Sequence, residues 1–93
     1  MLLVSYRLSG PDEDYETFFS ALLEGRDFYR FSDTCYLLDS ASARPLRDKL
    51  LPHLAPADRL MVTEVFKWQC AGQLPAAGRE WLKRALFERP GPL

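Results

Sequence analysis

Only two cysteines and one histidine occur in the 93-residue chain, and this shortage excludes several kinds of site. Cys35 and Cys70 lie far apart and outside any C-x-x-C spacing, so neither a disulfide framework nor a structural zinc site is indicated. Both read as small apolar packing residues held reduced. His53 stands between Pro52 and Leu54, with only Asp48 and Asp58 as acids near it in sequence. It reads as a helix-end or surface residue rather than a catalytic base.

Long hydrophobic runs are also missing. The longest stretch without a charged residue, Trp68 to Gly78, contains Gln69, Gly72, Gln73 and Pro75 and is too short and too polar to span a bilayer. At the N-terminus Ser5 and Arg7 interrupt Met1-Leu2-Leu3-Val4 before an export signal can form. A cytoplasmic protein with no membrane partner is expected. Charge of one sign is lacking as well, with Lys+Arg 12 against Asp+Glu 13. The strong basic surplus that accompanies nucleic-acid or acidic-membrane binding is therefore absent from the total. The halves differ, however: residues 1 to 45 carry 4 basic and 8 acidic side chains, residues 46 to 93 carry 8 and 5, giving −4 and +3. The second half can supply a basic face.

What is present is apolar surface, 47% hydrophobic and 13% aromatic residues, enough to offset the ordering entropy of one small domain spanning 1–93. Leu2, Val4, Tyr6 and Leu8 alternate as on one face of a strand. Ser9-Gly10-Pro11-Asp12 punctuates it, and Asp14 is placed to cap a helix with Tyr15, Phe18, Phe19, Leu22 and Leu23 as its apolar stripe, closed by Gly25. The aromatic run 27–39 is too long for one typical strand, and Ser32-Asp33-Thr34 divides it into two antiparallel strands. Ser40 or Ser42 starts a second helix with Leu46, Leu50 and Leu54 inward. Arg59 to Phe66 forms a fourth strand whose near-continuous apolar start suggests burial on both faces. Pro75 opens a last helix with Ala77, Trp81, Leu82, Ala85 and Leu86 on one side, ended by Pro90-Gly91-Pro92. The fold class expected is α+β, a ferredoxin-like βαββαβ sandwich with an antiparallel four-stranded sheet and an additional C-terminal helix.

Val4-Ser5-Tyr6-Arg7-Leu8 followed by Pro11 and Asp14-Tyr15, then Ser32-Asp33-Thr34, Leu46-Arg47-Asp48-Lys49-Leu50, Asp58-Arg59-Leu60-Met61-Val62 and Glu80-Trp81-Leu82 resemble, in that order, the CRISPR-associated Cas-two superfamily. The resemblance is strongest to its short, uncharacterised SinR-like relatives. It implies a homodimer that is either a metal-dependent ribonuclease or deoxyribonuclease, or a structural bridge between integrase subunits on DNA. The family's metal-binding acid follows the Tyr that ends the first strand, and here that position is Arg7. A guanidinium cannot ligate a cation and repels one. A C-terminal helix in place of the family's further short strand also moves the match toward the SinR-like relatives.

The expectation is thus a dimeric module, nucleic-acid-associated or protein-bridging, without efficient nuclease activity and without a cofactor. RNA, DNA or an integrase-type protein are its candidate partners. Arg7, Arg30, Arg79 and Lys83 are the candidate nucleic-acid contacts: Arg30 is interleaved with Tyr29, Phe31 and Tyr36, and Arg79 and Lys83 lie at i, i+4 on the last helix. A solvated helix face explains the latter pair most cheaply, with a phosphate-contacting stripe as the runner-up. The first alternative is a divergent Mg²⁺-dependent endonuclease of CRISPR adaptation or toxin type. Asp12 and Asp14 would be its metal ligands and Ser32 a further catalytic candidate, although helix-start acids and turn formation also account for these residues. The second alternative is a ligand-binding regulatory ferredoxin-like dimer.

Overall fold

The chain is described from a computed structural model covering residues 1–40, 42–66 and 72–85. The strands are β1 (Leu2–Arg7), β2 (Phe28–Ser32), β3 (Cys35–Leu38) and β4 (Arg59–Glu64), and the helices are α1 (Glu16–Leu23), α2 (Ala43–Leu50) and α3 (Ala76–Lys83). The strands form one antiparallel sheet in the order β2-β3-β1-β4. The β1–α1–β2 connection therefore passes over β3, and β3–α2–β4 passes over β1. This is the ferredoxin-like α+β arrangement expected from the sequence, with α3 added. No described helix is long and apolar enough to cross a membrane. Trp68, Cys70, Leu86, Arg89 and the closing Pro90-Gly91-Pro92 lie outside the described residues.

Period-two alternation sends Leu2, Val4 and Tyr6 to one face, where Tyr36 and Leu38 of β3 join them. Phe18 and Leu22 of α1, with Leu46 and Leu50 of α2, close over this face. Leu2, Val4, Phe18, Leu22, Leu38 and Leu50 are fully buried. The rings of Phe18 and Phe19 meet Tyr6 edge-on at 5.4 and 5.7 Å, a geometry favoured by their quadrupoles. Burial and the neighbouring Tyr36 push the Tyr6 phenol up to about 12, so it stays protonated and donates to the Asp33 carbonyl at 3.2 Å.

The helix starts differ from the sequence reading. Asp14 does not cap α1: it lies inside a 3₁₀ turn over Asp12–Tyr15 that leads into the helix, whose N-cap residue is Tyr15. Likewise Ser42 makes no side-chain cap for α2. Glu64, on the helix-facing side of β4, instead accepts the Ala43 N–H at 3.3 Å, and an acid at a helix N-terminus also complements the helix dipole. The α1 C-terminus closes as expected, with Gly25 at φ 68°, a left-handed position favouring glycine. Arg26 Nη1 adds bonds to the Ala21 and Leu22 carbonyls at 2.9 and 3.1 Å.

Strand β4 corrects a further expectation. It is an edge strand, with Leu60 and Val62 half-buried and Arg59, Met61 and Thr63 exposed, rather than buried on both faces. Two-faced burial belongs to β3, all four residues of which are buried. Helices α1 and α2 cover one side of the sheet, while α3 packs against the other side at β2. Trp81 anchors α3: it is buried, its Nε1–H donates to Asp27 Oδ1 at 3.0 Å, and its ring lies 6.3 Å from that of Tyr29.

Gly78 marks a close approach of α3 to β2, because a Cβ there would stand 2.7 Å from Cζ and Oη of Tyr29. Alanine has a helix propensity about 1 kcal/mol better than glycine, but it would have to displace that ring. Gly78→Ala is accordingly expected to stabilise the protein in a Tyr29→Ala background, and to give less stabilisation, or a loss, in the parent. Denaturant midpoints of the four proteins measure this coupling, and equal effects in both backgrounds would count against the contact.

Candidate functional site

The sheet face not covered by α1 and α2 carries the residues that alternate with the core. On β1 these are Leu3, Ser5 and Arg7, and their β4 partners are Thr63, Met61 and Arg59. On the other flank Leu3 pairs with Leu37 and Ser5 with Cys35. The face is thus apolar at its centre and basic at the end where Arg7 stands opposite Arg59. Both arginines are exposed, and among the described residues neither has an ion-pair partner. Like charges directly opposite on adjacent strands are destabilising, so this pair favours a bound anion and disfavours a cation.

The other sequence candidates do not gather at this point. Arg30 projects to the opposite side of the sheet, where its guanidinium lies 5.5 Å from the centre of the Tyr36 ring. There Nε donates to the Ser32 carbonyl at 3.3 Å and Nη2 to the Asp33 carbonyl at 3.2 Å. Asp12 is also on that side, 4.0 Å from Arg30, in the same 3₁₀ turn as Asp14. The two acids stand with a guanidinium on the helix layer, away from Arg7. Ser32 Oγ accepts the Thr34 N–H at 3.3 Å and so shapes the β2–β3 turn. Arg79 and Lys83 lie on α3, where Arg79 Nη1 donates to the Leu74 carbonyl at 3.0 Å. His53 ends an exposed 3₁₀ turn over Leu51–His53.

Chemically, the open face can hold phosphate but does not fit the Mg²⁺ that the resemblance would bring to position 7. Two guanidiniums face each other there, and the nearest acidic candidates belong to another layer of the fold. Among the described residues no three His, Cys, Asp or Glu side chains converge as a metal site. Cys35 is buried, and burial raises its thiol pKa, which lowers the nucleophilic thiolate fraction at neutral pH.

Two residues of consequence were not singled out as such from the sequence. Arg59 escaped because its pairing with Arg7 depends on a register between strands roughly fifty residues apart. Asp58 escaped because its partners are equally distant. Asp58 Oδ1 accepts the Ser9 N–H at 2.7 Å, the Ser9 hydroxyl at 2.8 Å and the Tyr15 hydroxyl at 2.9 Å, while Oδ2 accepts the Ala55 N–H at 2.7 Å. Desolvation pushes this carboxyl up, but these hydrogen bonds outweigh it and hold the pKa down at about 2. Its available signal was turn chemistry: Pro56 is the second residue of a turn closed by the Asp58 N–H on the Ala55 carbonyl at 3.0 Å.

Comparison with family models, with curated proteins and with solved structures gives no match for this chain.

Proposed function

We propose that this protein is a homodimeric, nucleic-acid-associated module of the Cas-two/SinR-like type, which holds phosphates at the Arg7–Arg59 end of its open sheet face and lacks efficient nuclease chemistry. The observation carrying this reading is the cross-strand pairing of Arg7 with Arg59. A phosphate oxygen relieves their mutual repulsion and matches the guanidinium fork. The same pair is electrostatically unsuited to the metal that phosphodiester hydrolysis would use. Beside it, Met61 is 65% exposed, an apolar contact available to a second copy of the chain in a two-fold arrangement.

The test is a fluorescence-anisotropy titration of labelled DNA and RNA at several salt concentrations, with light scattering to give the oligomeric state. Replacing both Arg7 and Arg59 by Gln is expected to weaken binding across all sequences and to reduce the magnitude of the salt slope by about 1.5–2, close to one unit per lost phosphate contact. An unchanged slope would remove this face from the interface. Mg²⁺-dependent cleavage by the pure protein, abolished by Asp12→Asn or Asp14→Asn, would overturn the proposal in favour of the endonuclease alternative. Binding of an integrase-type protein but of no nucleic acid would overturn it in favour of a purely protein-bridging role.

A further inference from the structure

Among the described residues, helix α3 is anchored at its β2 side. Trp81 and Gly78 meet Asp27 and Tyr29 at the β2 edge, so between α3 and the β1–β4 side of the open face a cleft of about 480 Å³ remains. Its floor includes Leu3, Leu37, Phe31 and Val65, and Leu74 and Leu82 belong to the facing wall. Among the described residues the only ionisable side chain lining it is Arg79. Its Nη1 holds the Leu74 carbonyl, which leaves most of the five guanidinium N–H donors available. This combination differs from the Arg7–Arg59 end of the same face. Leu3 is four residues from Arg7 along β1, about 13 Å at the rise of a strand.

We infer that this cleft is a binding site for an amphipathic monoanion, a carboxylate carried on an acyl chain, with the chain against Leu3, Leu37 and Leu82 and the carboxylate on Arg79. The volume falls within the range of small-molecule sites, which are mostly apolar with a few orienting polar groups. A planar carboxylate suits the guanidinium fork, and apolar walls exclude a nucleotide-sized polar ligand by leaving its hydroxyls unpaired. The inference is independent of the nucleic-acid reading, because no residue of the Arg7–Arg59 pair lines the cleft.

Calorimetric titration with decanoate and with decanol, each below its aggregation threshold, tests the site on the full chain. Decanoate is expected to bind saturably, one per chain, and about tenfold more tightly than decanol. Arg79→Gln should bring decanoate down to the decanol level and leave decanol unchanged, Arg79→Lys should retain most of the difference, and the Arg7→Gln/Arg59→Gln protein should bind decanoate like the parent. Circular dichroism confirms that the exposed substitutions leave the fold intact. Equal affinity for the two probes, or an equal loss of both in Arg79→Gln, would overturn the inference. Absence of saturable decanoate uptake would also overturn it, and where light scattering then shows a dimer it assigns the cleft to the second copy instead.

Discussion

Asp58→Ala is expected to lower the melting temperature by on the order of 10 °C at neutral pH and to flatten the acid limb of the stability profile. The carboxylate gathers the Ser9 turn after β1, the Tyr15 hydroxyl at the start of α1 and the Ala55 amide before β4. Removing it frees donors from three parts of the chain at once. Its folded-state pKa is about 2 against an ordinary 3.8. For a carboxyl with a depressed folded pKa, the unfolded chain binds the proton more tightly. The contribution is therefore fully present above the ordinary value and is lost as pH falls through the window from 3.8 to about 2. The parent should lose stability through that window more steeply than Asp58→Ala, and the two profiles should converge at the acid end. Asp58→Asn should fall between them: its amide oxygen can replace Oδ1, but its NH₂ would face the Ala55 N–H donor in place of Oδ2. Thermal melts across acid pH measure all three proteins, and parallel profiles for parent and alanine variant would contradict the assigned role.

The contrast between Asp58 and the helices shows what kind of information a single sequence carries. The stripe of Phe18, Phe19, Leu22 and Leu23, the left-handed Gly25 and the turn at Ser32-Asp33-Thr34 depend on neighbours within a few residues, and each was legible. The strand order followed because two crossovers and a hairpin leave few alternatives for a chain this short. The helix N-caps were not legible, since Glu64 reaches α2 from 21 residues away and no local pattern signals that pairing. Its position in the Leu60, Val62, Glu64 alternation was the remaining clue, an acid on the inward phase of a strand. The continuous apolar run Leu60-Met61-Val62 misled for a related reason: hydrophobicity fixes neither a strand's place in the sheet nor which strand α3 will cover.

The candidate site divides the same way. Arg7 was visible as a departure from the carboxylate expected at its position. Grouping it with Arg30 required a side-chain phase that only the β2–β3 register settles, and the irregularity between Arg30 and Ser32 further obscures that phase in the sequence. The structure places Arg30 against Tyr36 and supplies Arg59 in its stead. The two faces of one sheet consequently have separate chemistries: a packed aromatic core with the exposed Arg30 at its margin, and an open face with a basic end and an apolar cleft.

Trp81→Ala should release α3 while leaving the rest of the sheet folded. Truncating a buried Trp typically costs about 3–5 kcal/mol, and here it also removes the bond to Asp27. The cost is confined, however, because the main core cluster of Leu2, Val4, Tyr6, Phe18, Leu22, Leu38 and Leu50 does not include Trp81. An eight-residue helix is not stable alone in water, so once its anchor is lost α3 unfolds locally instead of bringing down the sheet. Hydrogen exchange should accordingly show α3 amides losing protection by on the order of a hundredfold or more, up to the limit set by their parental protection, while β1 and β3 amides keep theirs. The melting temperature of the remaining domain should fall by only a few degrees. Trp81→Phe keeps an aromatic ring but loses the Nε1 donor, and its loss of protection should be smaller, near the about 1 kcal/mol of a single hydrogen bond. Because α3 is one wall of the cleft, decanoate binding should disappear in Trp81→Ala, whereas the nucleic-acid binding proposed for Arg7 and Arg59 should persist. A uniform loss of protection across all strands would instead show that α3 is integral to the core, and would remove the basis for treating the two ends of the open face as separate sites.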